Sequence, residues 1–299
     1  MRKILFSAAV LLMFAACEKG YVAETEGESA ADGSADEGSV SVTFRVVSLE
    51  QTDFDGVSSS SASSSSSVAD YCTRINLAAF DADGNKTSVN QTSDDDDFGT
   101  LTLSLSEGTY EVVILAHNCT GNATISSCEE IKFPNNKMTD TFYYYGELTV
   151  SGDNSYDITL ARAVAMFRFI VTDATPETVT QMQFYYTGGS STFDAVTGYG
   201  CVNSRQTEVR DVDDDAYTGQ SQYEVYTLPH ALDDTLKVVV TALDSSGATI
   251  LERTFTDVPV TVNKITQYTG EFFTSVTDAV SNNISLSIYD EWSVEEYSY

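Results

Sequence analysis

Positive charge is what this chain has least of: 15 lysines and arginines stand against 45 aspartates and glutamates, a formal net charge of −30. A protein that binds phosphate backbones needs Lys and Arg clustered on one surface. Here the dense clusters are acidic, Asp94–Asp97 and Asp213–Asp215, so nucleic acid is excluded as a partner. Such an excess of negative charge favours solubility and mutual repulsion, which suits an exposed protein. The acidic runs themselves read as solvated loops.

Histidine is nearly absent as well, with only His117 and His230. No Cys-x2-Cys pair accompanies them, so the usual donor set for zinc is missing. A serine nucleophile needs a histidine base, and no Gly-x-Ser-x-Gly elbow occurs anywhere. Asp81-Ala82-Asp83-Gly84-Asn85 alternates acids as a calcium loop does, yet Gly84 is fourth instead of sixth and Thr92 stands twelfth, where a bidentate glutamate belongs. That segment reads as a hairpin turn. Gly188-Gly189-Ser190-Ser191 is not followed by a helical pattern and reads as a loop, not a phosphate cradle. The expectation is no catalytic residue, no cofactor and no metal.

Apolar runs of membrane-spanning length are also missing. The longest, Ile4–Phe14, falls short of the roughly 20 residues that a bilayer crossing takes. With Met1-Arg2-Lys3 before it and Ala15-Ala16-Cys17 after it, the run has the three-part layout of a secretory signal. Small residues directly before a cysteine resemble the bacterial lipobox, with Phe14 in place of the usual Leu or Val. We therefore expect residues 1–16 to be a signal peptide and Cys17 to carry lipid. An ordinary signal peptide with an incidental cysteine is the alternative. Each buried methylene contributes about 0.8 kcal/mol, so two or more acyl chains hold a protein on a membrane. Loss of residues 1–16 takes Arg2 and Lys3 away and leaves a net charge of about −32.

Four further cysteines, Cys72, Cys119, Cys128 and Cys201, allow three pairings in an exported chain. Cys119 with Cys128 is the preferred pair, because Thr120-Gly121-Asn122 reads as a turn that brings two strands together. Four free buried thiols are the alternative.

Residues 17–38 hold almost no large apolar side chain after Val22 and read as a flexible tether. Residues 58–67 are nine serines and one alanine, a long loop within a folded region. Elsewhere short strands alternate with turns. Val40–Phe44 and Leu101–Leu105 have a period of two, and Glu107-Gly108 before Tyr110–Leu115 suggests a hairpin. Helical candidates are weak, so the fold class is all-β. Roughly 260 residues after the tether favour two domains. The turn cluster at Ser151–Asn154 divides them into 39–157 and 158–299. Tyr143, Tyr144, Tyr145, Tyr185 and Tyr186 lie in strands, either packed inside or offered to a sugar or a partner.

Several segments resemble one family. Ile75–Asn85, with its Phe-Asp and Asp-Gly turn, Leu105–Leu115, Leu160–Ala165 and Val260–Phe273 are similar to stretches of the fimbrillins and fimbrial anchor lipoproteins of Bacteroidales-type bacteria. The last carries Asn263-Lys264-Ile265-Thr266-Gln267-Tyr268-Thr269-Gly270, with Tyr268 where the family pattern has leucine, and a closing strand with Trp292 also fits. The resemblance implies two tandem transthyretin-like β-sandwiches, an outer-membrane lipoprotein at the cell surface, and a part in building or anchoring a fimbria. Its partners would be other fimbrial subunits and, through the lipid on Cys17, the outer membrane. Shaft subunits of this kind lose their first strand to a protease that cuts after a basic residue, and the groove then accepts a strand from the next subunit. Here no Lys or Arg occurs between Arg45 and Arg74. The expectation is an unprocessed anchor or accessory subunit, with Ile284–Tyr299 as a candidate donor strand. A non-polymerising surface lipoprotein that binds a glycan or host ligand is the alternative.

Overall fold

The computed structural model describes residues 38–50, 67–274, 284–290 and 293–297. Its first half contains β1 (Ser39–Glu50), β2 (Arg74–Asp81), β3 (Lys86–Thr92), β4 (Thr100–Ser106), β5 (Gly108–His117), the short β6 (Thr124–Ser127) and β7 (Glu130–Lys132), β8 (Thr141–Val150) and β9 (Asn154–Arg162). The main sheet runs β3-β2-β5-β8-β9-β1-β4. Strands β8 and β9 pair only at Phe142↔Arg162 and Tyr143↔Ala161, at the end away from their connecting turn. There the sheet folds over into two layers, β3-β2-β5-β8 and β9-β1-β4. Ile75, Leu77, Val112, Ile114 and Phe142 of one layer meet Val42, Phe44, Leu101, Leu103 and Leu160 of the other in a single core.

Burial follows the residue pattern. In β4 the alternation Thr-Leu-Thr-Leu-Ser-Leu-Ser buries the leucines alone, as a strand with one wet face should. In β2 and β5 the apolar run is nearly continuous because both faces are covered. The same contrast corrects the hairpin expected across Glu107-Gly108. Strand β4 pairs with β1, and β5 lies between β2 and β8, so that turn carries the chain from one layer to the other. A strand apolar on both faces takes a central place, and one apolar on a single face can take an edge. The Asp81 turn does close a hairpin: Asp81 Oδ1 accepts from the Asp83 and Asn85 amides at 2.9 and 2.8 Å, and Gly84 has φ +80°.

The second half contains β10 (Ala165–Val171), β11 (Gln181–Thr187), the short β12 (Thr192–Asp194) and β13 (Tyr199–Gly200), β14 (Arg205–Asp211), β15 (Ser221–Thr227), β16 (Asp233–Leu243), β17 (Thr249–Thr261), β18 (Ile265–Gly270), β19 (Ile284–Asp290) and β20 (Ser293–Tyr297). Its layers are β14-β11-β16-β17 and β15-β10-β18-β19-β20. They repeat the first half strand for strand: β3-β2-β5-β8 corresponds to β14-β11-β16-β17, and β4-β1-β9 to β15-β10-β18. In each half the first strand is antiparallel to the fourth of these seven and parallel to the last. The all-β class and paired sandwiches are as expected. The apolar stretches Ile250–Phe255 and Val258–Val262 fall largely in the single strand β17, with Thr256 and Asp257 opposite Lys237 in a bulge where Asp257 has φ +56°.

Strands inserted into the two halves join them. They form the sheet β13-β12-β7-β6, in which Phe193 pairs with Ile131 across the junction. Beneath it Phe80, Val113 and Leu115 from the outer face of β2 and β5 pack with Ile125, Phe193 and Leu228. The turn at Ser151–Asn154 lies inside the first sandwich, since Ile158 and Leu160 belong to its core and Ala165 to the next. We propose the division at Ala163-Val164 in place of 157/158.

Arg162 fastens this junction. Its side chain is 2% exposed, and it donates from Nε and Nη2 to the two carboxylate oxygens of Asp140 at 2.7 and 2.9 Å. Nη1 donates to Asn263 Oδ1 at 2.9 Å, and the guanidinium lies 4.7 Å from the centre of the Phe142 ring. The Asn263 amide donates to the Val164 carbonyl. Replacing Arg162 with methionine leaves the Asp140 carboxylate without its charge partner, and should cost about 3–5 kcal/mol in chemical denaturation. Adding Asp140→Leu should restore most of that. Equal losses in the single and double variants would contradict this role.

Candidate functional site

The lipidation residue expected from sequence, Cys17, lies outside the described residues, as do 51–66 of the serine-rich connection and Trp292. Strand β1 is described. It pairs with β4 from Ser39↔Ser106 to Arg45↔Thr100, and with β9 from Val42↔Asn154 to Glu50↔Ala161. Val42 and Phe44 are fully buried, and Phe44 stacks on Tyr156 with ring centres 5.9 Å apart. Burying each such side chain contributes about 1.5–3 kcal/mol. Cross-strand hydroxyl pairs, Thr43 with Thr102 at 3.1 Å and Ser48 with Thr159 at 2.6 Å, dress the outer face.

Arg45 is the basic residue within this strand. Its Nη2 donates to Ser155 Oγ at 2.7 Å and its Nε lies 3.4 Å from Asp157 Oδ1, with the side chain half exposed. The Arg45 backbone sits in both ladders. Proteolytic nicking concentrates in exposed loops, where a backbone can be drawn into a protease cleft. The Arg45 bond is therefore poorly placed for cleavage. Taking β1 out would bare the edges of β4 and β9 together with Leu101, Leu103 and Leu105, a surface that another extended strand could refill with hydrogen bonds and apolar contacts at once.

The other residues singled out from sequence do not gather into a site. Cys119 and Cys128 are both free thiols, as are Cys72 and Cys201, so the preferred disulfide is not formed. The residues between them do not connect a hairpin. Strand β5 pairs with β2 and β8, while β6 pairs with β7, and Cys119 Sγ points to Thr139 Oγ1 and the Lys137 carbonyl. Burial pushes the Cys128 thiol up to about 12, helped by Glu111, Glu129 and Asp194, which suppresses its thiolate. Tyr143 and Tyr145 pack at the junction and Tyr144 against the first core; Tyr186 is buried, while Tyr185 remains partly exposed. Gln91 of β3 is held by the acidic run, its Nε2 donating to Asp97 Oδ1 at 3.1 Å. Among the described residues no group of three His, Cys, Asp or Glu is placed to hold a metal.

A model of one protein family spans residues 33–298. The chain belongs to DUF6562, a family of unknown function. No curated protein sequence matches this DUF6562 member. Solved structures with a similar course include a candidate adhesin from Bacteroides ovatus, at 15% identity over 73% of this chain and 82% of that one, with a TM-score of 0.48. Another is a candidate polysaccharide-binding protein from Bacteroides thetaiotaomicron, at 13% identity over 87% and 98%, with a TM-score of 0.48. A third is the tip fimbrial protein Mfa3 of Porphyromonas gingivalis, solved with a C-terminal truncation, at 8% identity over 87% and 100%, with a TM-score of 0.41. At such identities the functional reading rests on this chain's own residues.

His117 has a structural task in this DUF6562 chain. It is fully buried, its Nδ1 accepts from the Cys119 amide at 3.2 Å, and Nε2 consequently donates to Asn76 Oδ1 at 2.8 Å. Burial, with a smaller push from Arg74, lowers its pKa from 6.5 to about 4. The unfolded chain therefore takes up this proton before the native state does. The contribution is complete above about pH 6.5 and is lost as pH falls toward 4, up to about 3 kcal/mol in all. NMR of the His117 ring should show it neutral through pH 5, and a titration midpoint near 6.5 would contradict the buried network.

Proposed function

We propose that this chain is a lipid-anchored subunit of the outer membrane, acting as the anchor or an accessory subunit of a fimbria and joining its neighbours by β-strand addition. The observation that carries the proposal is the position of β1. The strand that follows the lipid-bearing tether is a central member of its layer, paired on both sides, with Val42 and Phe44 in the core.

Two sequence features support the same reading. Arg45 is the last basic residue before Arg74, and it lies within the paired strand. The serine-rich connection offers no target to an enzyme that cuts after lysine or arginine. A lipid on Cys17 thereby stays covalently continuous with the first sandwich. Neighbouring subunits would join at strand edges, where main-chain groups supply affinity and alternate side chains supply selectivity.

The test is mass spectrometry of the protein recovered from its native surface. A mature chain beginning at an acylated Cys17 is expected, together with detachment of fimbriae from cells lacking the gene. A mature chain beginning within residues 46–75 would place it among processed shaft subunits. An unacylated N-terminus would remove the anchor altogether.

A further inference from the structure

The long sheet edges of the two sandwiches differ in how they are finished. A bare edge offers its amides and carbonyls to any other strand, and proteins blunt such edges with lysine, proline, a bulge or a cover. On β3 the Thr92 amide donates to Asp95 Oδ2 at 2.7 Å, and Lys86 Nζ reaches over to the Ile125 carbonyl at 3.1 Å. On β4 Gln91 and Tyr110 donate to the Thr100 and Ser106 carbonyls at 2.9 and 3.0 Å. On β15 Arg210 and Tyr186 donate to the Glu224 and Tyr226 carbonyls, both at 3.2 Å. Strand β17 carries Pro259 and the bulge at Asp257.

Strand β14 lacks such a finish. The Val212 amide donates to the Thr180 carbonyl, which fixes the alternation along the ladder with β11. The main-chain groups of Gln206, Glu208 and Arg210 face β11, and those of Arg205, Thr207, Val209 and Asp211 face outward. Among the described residues these four make no main-chain hydrogen bond on that side; Arg210 Nη1 makes only a long 3.4 Å contact with the Val209 carbonyl. All four are exposed, Val209 to 39%. Arg205 forms no ion pair among the described residues. The strand is also neutral, with Arg205 and Arg210 against Glu208 and Asp211, in a chain whose net charge is −30.

The sequence of this edge is complementary to itself. Turned end for end about Glu208, Arg-Gln-Thr-Glu-Val-Arg-Asp sets Arg205 opposite Asp211 and Thr207 opposite Val209, so every outward residue meets an outward residue. Opposite charges in directly facing positions stabilise a strand pair. A shift by two residues leaves only three outward residues facing and breaks both charge pairs. Glu208 would face its own copy on the axis, but its side chain is buried and held from within by Arg210 and Tyr186. We propose that two copies of this chain pair antiparallel through β14, with Arg205 of each copy against Asp211 of the other, joining two four-stranded layers into one eight-stranded sheet. Such a contact uses the same surface on both copies and therefore stops at two. It is separate from the anchor role, since it needs neither the lipid nor a subunit of another kind.

Sedimentation equilibrium under reducing conditions tests it on the mature chain carrying Cys17→Ser, so that neither acyl chains nor disulfides associate it. A contact made by one strand pair is small and weak, so the measurement extends to about 300 µM, in about 0.15 M salt that screens the net charge beyond about 8 Å. At that concentration the dimer should form. Arg205→Asp and Asp211→Arg should each weaken self-association at least about tenfold, with thermal midpoints unchanged because both side chains are exposed. Mixed in equal amounts, the two variants should associate as well as the unsubstituted chain, since each aspartate then faces an arginine. The proposal is overturned if the unsubstituted chain stays monomeric at about 300 µM. It is equally overturned if either charge reversal leaves self-association unchanged, or if the mixture associates no better than the variants alone.

Discussion

The structure depends on a parallel pair that spans almost the whole of each sandwich. Strand β1 lies alongside β9, with Val42 opposite Asn154, and β10 lies alongside β18, with Met166 opposite Ile265. Parallel neighbours need a long crossover, and here the crossover is the rest of the sandwich itself. Neither half can close until its last strand arrives, which makes the loop-closure cost of β1 large and its placement late. The same pairing fixes the start of the first sandwich firmly. Pulling on the N-terminal end of β1 loads two ladders together with the core side chains Val42 and Phe44.

The junction gives physical content to two of the sequence stretches that resemble fimbrial lipoproteins. Leu160–Ala165 and Val260–Phe273 are a hundred residues apart in the chain yet meet at Arg162, Asn263 and the Val164 carbonyl. An arginine forked onto Asp140 and bonded to Asn263 has its guanidinium donors taken up where one sandwich hands over to the next. The inserted strands β6, β7, β12 and β13 then cover the outer face of β2 and β5. This cover is why those two strands are apolar on both sides, and why the junction belongs to the hydrophobic interior.

Much of this was legible in the residues. The alternating leucines of β4, the two-sided runs of β2, β5 and β10, and the Asp81 turn all appear where their patterns place them. Strands β3 and β14 are not legible because edge strands that are polar on their exposed faces carry little apolar period: Lys-Thr-Ser-Val-Asn-Gln-Thr and Arg-Gln-Thr-Glu-Val-Arg-Asp look like loops. The junction strands are too short to show any period at all. Adjacency in sequence does not decide pairing: β5 lies between β2 and β8 instead of beside β4, and Cys119 and Cys128 stay apart as free thiols.

The central claim is that β1 is an integral strand of the first sandwich. Hydrogen–deuterium exchange on the full mature chain measures this directly at the amides of Val42–Val46. They should be protected as strongly as those of Leu101–Leu105 in β4, opening only with global unfolding. Exchange as fast as in the exposed Asp94–Asp97 loop would mean that β1 leaves its place in the native state, and would contradict the account.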